Sequence, residues 1–142
     1  MGTYFSVVLP LPEGPLAKER VEQWSEKTKA EHSAFIEDPH NWRYEAALHN
    51  VTWSLEKDGK IWLYSDDGEG NFENSVDFIQ DYLTDFSIVG GVFVSAAQYP
   101  GKPFINESSG CSVVVTKDAQ IWLHTDHVLR MAKEAGIEHI LN

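Results

Sequence analysis

Phe72, Val76, Ile79, Leu83 and Phe86 recur at helical spacing, which predicts an amphipathic helix over residues 72–86 with those side chains on one face. Gly68 and Gly70 break the chain before it, and Asn71 is placed to cap it. Shorter apolar and β-branched runs predict strands over residues 4–9, 51–55, 89–97 and 112–116. Gly14-Pro15 opens a second helix that reaches about residue 32, and residues 127–135 form a third, capped by Thr125 or Asp126 and ended by Gly136. Residues 35–50 suggest only a connecting loop with one helical turn at 44–49. Pro100-Gly101, Pro103 and Ser108-Ser109-Gly110 make residues 98–110 a loop by composition, expected to be the mobile element of the chain.

A repeat at an offset of 60 organises part of this pattern. The run Lys57-Asp58-Gly59-Lys60-Ile61-Trp62-Leu63-Tyr64-Ser65-Asp66 returns as Lys117-Asp118-Ala119-Gln120-Ile121-Trp122-Leu123-His124-Thr125-Asp126, identical at six of ten positions. In each copy a strand, a polar turn around the Asp and a second strand lead into a helix, and Asp58-Gly59 is a strong hairpin signal. The expectation is one domain, residues 1–142, of α+β class, with pseudo-repeated ββα units at about 51–86 and 111–135. Its antiparallel sheet has a ferredoxin-like split βαβ core, β-α-β-β-α-β, extended by a second hairpin and helix. Trp62 and Trp122 take equivalent strand positions, where core or sheet-face packing is expected.

At 142 residues and 42% hydrophobic composition the chain can bury a core of its own without staples. A single cysteine, Cys111, excludes an internal disulfide and a thiolate metal cluster, so a reducing, cytoplasmic setting is expected. The apolar run near the N-terminus is short and broken by proline, unlike a membrane span, and no basic segment precedes it. The formal net charge is −11, and seven of the acids lie in the window 61–101, which holds no Lys or Arg. Such a surface disfavours direct nucleic-acid binding and points to a basic protein as the charged partner.

Within that window Glu73, Asp77, Asp81 and Asp85 stand at strict four-residue intervals. Like charges at i and i+4 repel by roughly 0.2–0.5 kcal/mol per pair, and Asp81 and Asp85 sit near the negative end of the helix dipole. The row is therefore retained against a local penalty. Successive carboxylates rise about 6 Å along the axis, similar to phosphate spacing on a nucleic-acid strand. Two readings follow: a nucleic-acid mimic directed at a Lys/Arg groove, or a solvated face whose charges are screened by salt.

Other chemistry is thinner. Asp66, Asp67 and Glu69 in the loop before the helix offer hard oxygen ligands, but no register satisfies the EF-hand pattern. His124-x-x-His127 flanks Asp126, yet His124 stands where the other copy has Tyr64, and an aromatic packing role explains it equally. Cys111 lacks a nucleophile elbow or helix start, which predicts a structural thiol. No phosphate-binding motif is present.

The run from Ile61 through Trp62-Leu63-Tyr64-Ser65-Asp66-Asp67-Gly68-Glu69-Gly70-Asn71 into Val76-Asp77-Phe78 resembles the core of uncharacterised small acidic proteins of bacterial plasmids and phages, with one glycine fewer in the loop. The resemblance spans about residues 51–130. It implies a mobile-element setting, in which small acidic proteins that block nucleic-acid-handling host defences recur. The expectation is thus a non-catalytic binding protein or inhibitor, anti-CRISPR-like, whose Asp66, Asp67, Glu69, Glu73, Asp77, Asp81 and Asp85 occupy a basic nucleic-acid-binding surface of a host protein. No cofactor, metal or membrane is expected. The alternatives are a small enzyme or cation-binding protein using the 66–71 loop, and a self-associating structural phage protein.

Overall fold

A computed structural model describes residues 2–37, 51–65, 72–99, 109–124 and 133–136. Their elements run β1 (Gly2–Tyr4), β2 (Ser6–Val8), α1 (Ala17–Glu37), β3 (Thr52–Leu55), β4 (Ile61–Tyr64), α2 (Phe72–Asp85), β5 (Val92–Tyr99), β6 (Ser109–Val115) and β7 (Gln120–His124). The class is α+β. All strand pairs are antiparallel, in one sheet of order β1-β5-β6-β7 and another of order β2-β4-β3. Helix α1 connects β2 to β3, which flank β4 on either side.

The strand expected over residues 4–9 is divided at Phe5, so β1 joins one sheet and β2 the other. The reason lies in Ser65. Its N–H donates to the Phe5 carbonyl (3.1 Å), and its hydroxyl accepts from the Phe5 N–H (3.2 Å), a side chain taking the place of a ladder bond. Inward and outward positions nevertheless stay in phase through the break: Phe5 and Leu9 are buried, Tyr4, Ser6 and Val8 exposed. The sheets are separate ladders that share one inner and one outer side.

The core lies on the inner side. Leu9, Ile61, Leu63, Val94, Val113 and Val115 pack there with Val21 of α1 and with Phe72, Val76, Phe78, Ile79, Tyr82 and Leu83 of α2. Around Trp24 of α1, the rings of Phe78 and Tyr82 pack edge-on at 5.3 and 5.2 Å. The buried face of α2 is broader than the expected stripe because Ser75, Phe78 and Tyr82 join it. The helix ends with the Ile88 N–H donating to Leu83 O (2.9 Å), the Ser87 N–H donating to Thr84 O (3.1 Å), and Ser87 itself left-handed at φ 51°. This is a Schellman exit with serine where glycine is preferred.

Other boundaries shift. Helix α1 begins at Ala17 and runs to Glu37, past the expected end, while β5 begins at Val92 because Gly90 is left-handed (φ 113°). Strands β5 and β6 reach Tyr99 and from Ser109, into the stretch expected to be a loop. The expected loop between them, the turn at 44–49 and most of the helix at 127–135 lie outside the described residues. Of that helix, Lys133 and Glu134 are helical and Gly136 is left-handed (φ 86°), in keeping with a C-terminal stop.

The two hairpins differ in register despite their common sequence. In the first, Leu55 pairs Ile61; in the second, Val115 pairs Gln120, one residue earlier in the repeat. A one-residue slip exchanges the two faces of a strand. Ile61 and Leu63 are accordingly fully buried with Trp62 outside, whereas Ile121 and Leu123 face outward and Trp122 packs on the core. The turns explain the slip. Gly59 is left-handed (φ 87°), its N–H donates to Glu56 O (3.0 Å) and the Glu56 N–H donates to Lys60 O (2.8 Å), a turn followed by a bulge. Ala119 does not adopt a left-handed φ. There the Thr116 N–H donates to Ala119 O (2.8 Å), while the Thr116 hydroxyl oxygen accepts from the N–H groups of Asp118 and Ala119 at 3.3 and 2.9 Å.

Candidate functional site: the acidic ridge of α2

The row is helical throughout, since Glu73, Asp77, Asp81 and Asp85 all belong to α2. Each four-residue step turns about 40° beyond a full revolution, so the carboxylates wind across the outer side of the helix rather than forming a straight line. Glu73 starts on the flank near β6, close enough to Cys111 for its charge to act there. Asp85 ends on the opposite flank, against α1. Glu73, Asp81 and Asp85 are exposed, and Asp77 is half-buried.

Two members are fixed by neutral donors from distant parts of the chain. The Gln120 amide donates to Asp77 Oδ1 (2.8 Å) and to Gln80 Oε1 (2.9 Å), while its own Oε1 accepts from the Trp122 indole (3.0 Å). The Trp24 indole N–H donates to Asp85 Oδ2 (2.8 Å). Amide and indole donors orient a carboxylate and leave its charge in place, whereas a lysine or arginine would neutralise it. Helix and second hairpin are also latched directly: the Gln80 amide donates to Thr116 O (3.1 Å), and the Thr84 hydroxyl lies 3.0 Å from Lys117 O. Gln80, Thr84, Gln120 and Trp24 carry no sequence signal for these roles. Each acts across a separation of more than 30 residues.

Asp66, Asp67 and Glu69, with the rest of residues 66–71 and the expected cap Asn71, lie outside the described residues. So does His127; His124 closes β7. Among the described residues no group of three His, Cys, Asp or Glu is placed to hold a metal. Cys111 is half-buried against the core, and burial, with the Glu73 charge adding, pushes its thiol pKa up. That thiol stays protonated at neutral pH, contrary to the need of a nucleophile. Among the described residues no helix is long and apolar enough to cross a membrane.

No family model, curated protein or solved structure matches the chain.

Proposed function

We propose that the protein is a non-catalytic binding protein whose α2 ridge occupies a basic, nucleic-acid-binding surface of another protein. The observation that carries this reading is the restraint of Asp77 and Asp85 by uncharged donors. Side chains held in place beforehand lose less entropy on binding, and charges left un-neutralised steer a cationic partner. Glu73 and Asp81 extend the same exposed surface, and Asp66, Asp67 and Glu69 precede it in the chain. The partner in this reading is a host nucleic-acid-handling protein met in the cytoplasm, in keeping with the resemblance to plasmid and phage proteins. For the frame that carries the ridge we favour a ferredoxin-like core whose first strand is divided between two ladders. Support for it comes from the neighbours β5-β1 and β2-β4-β3 on either side of Phe5.

The test removes charge from the ridge. Glu73→Gln combined with Asp81→Asn removes two exposed carboxylates and leaves the hydrogen bonds of Asp77 and Asp85 intact. In pull-downs from bacterial lysate, the wild-type chain should retain a nucleic-acid-binding protein that duplex DNA displaces and added salt releases, and the double variant should bind it roughly tenfold more weakly. Retention unaffected by the substitutions, or by competing DNA, would remove the proposal.

A further inference from the structure

Both helices contribute to the inner core, and the in-phase alternation through Phe5 turns the other side of both sheets outward as one surface. Cross-strand register arranges that surface in rows. Ser54, Trp62 and Val8 lie side by side in one sheet, and Phe93, Val114 and Ile121 in the other. Leu123 stands two residues beyond Ile121, next to Ser112. Phe93 is 64% exposed, Ile121 67%, Val8 52% and Leu123 50%. None of these side chains is charged, in a chain of net charge −11. The row beside them is hydroxylic, with the Ser6 oxygen accepting from the Trp62 indole (2.6 Å) and the Ser112 and Ser95 hydroxyls 3.2 Å apart.

We infer that two copies of the chain pack face to face through this surface. Area favours it. At those exposures Trp62, Val8, Phe93, Ile121 and Leu123 leave on the order of 500 Å² of apolar surface in water, counting about 150–250 Å² for each aromatic side chain. One side of a standard interface is about 800 Å², of which roughly 60% is apolar, so the patch supplies what one side requires. It also reaches the upper range of the largest patch on a typical monomer, about 300–600 Å².

Charge selects the occupant. A cationic partner finds no counter-charge in the rows, whereas a second copy brings the same uncharged stripe and makes a two-fold, self-complementary contact. The acidic ridges lie on α2, over the inner side of the sheets. Sheet-to-sheet contact therefore sends them to the two far sides of the pair and keeps their mutual repulsion small. Small serines in the neighbouring row let the sheets approach to the usual separation of about 10 Å.

Sedimentation velocity and light scattering on the purified full chain test this without any variant. The mass should rise with concentration from 16.0 kDa towards twice that value, and added salt should strengthen association, opposite to its effect on ridge binding. Phe93→Glu and Ile121→Glu, each on an exposed position, should restore the monomer with an unchanged circular dichroism spectrum. Val89→Glu, 89% exposed and outside the rows, should leave the pair intact. A chain monomeric at about 100 μM, a pair that survives both stripe substitutions, or a pair abolished equally by Val89→Glu would overturn the inference. The same measurements leave the proposed role of the ridge untouched, because Glu73 and Asp81 are unaltered.

Discussion

Ile61-Trp62-Leu63 and Ile121-Trp122-Leu123 are the same three residues in two hairpins, and they end up on opposite sides of their sheets. In the first, the aliphatic pair fills the core and the indole lies outside; in the second, the indole packs on Phe72 (5.6 Å between centroids) and the aliphatic pair faces outward. Side-chain hydrophobicity cannot decide between these outcomes, since it is identical. The deciding difference lies in the turn: Gly59 accepts a left-handed backbone and with it an extra loop residue, whereas Ala119 does not and the Thr116 hydroxyl holds a shorter turn. The lesson is that turn chemistry outranks strand composition in choosing which face is buried.

Truncation should expose the contrast most sharply. Ile61→Ala should cost about 2–5 kcal/mol, while Ile121→Ala should stay within about 0.5 kcal/mol, read from paired urea melts at concentrations low enough to keep the chain monomeric. Equal losses would contradict the opposed faces. Alkaline pH acts on the core common to both hairpins. Tyr82 is fully buried, donates to Pro10 O (2.7 Å), and burial pushes its pKa up to about 12. Its folded form holds the proton more tightly than the unfolded form, so the stability it contributes is complete below about pH 10 and fades between about pH 10 and 12. In Tyr82→Phe, that limb of the pH–stability curve should flatten.

The turns themselves come next. At Gly59 a new Cβ would meet the Lys18 side chain as well as the left-handed backbone. Gly59→Ala should therefore lose roughly 1–3 kcal/mol, against less than about 1 kcal/mol for Ala119→Gly, where only chain entropy changes. The smallest contrast concerns the residues that follow. Gln120→Ala frees Gln120's ties to Asp77, Gln80 and Trp122 and should cost about 1 kcal/mol. Its counterpart Lys60→Ala keeps the backbone bond to Asp58 (3.0 Å) and should be nearly neutral. Chemical denaturation of all four proteins ranks these effects.

Much of the frame was legible because it depends on local pattern. Phe72, Val76, Ile79 and Leu83 marked α2, Asp58-Gly59 marked a hairpin, and the four-residue acid spacing placed a ridge on a helix. Most of what escaped depends on contacts between distant residues. The Ser65 hydroxyl splitting the first strand at Phe5 and the recruitment of Trp24 and Gln120 to the ridge arise from partners tens of residues apart, whereas the slipped register of β7 follows from the local turn before it. The winding of the ridge was within reach of the sequence, since a four-residue period overshoots a helical turn by a fixed angle.

The bond from Trp24 to Asp85 gives the ridge an optical reporter. An indole beside a carboxylate emits according to the local field, and a cationic surface arriving at Asp85 alters that field. Subtracting the spectrum of Trp24→Phe from that of the wild type isolates this chromophore from the other four tryptophans, so occupancy of the acidic face can be followed by light alone, with no label attached.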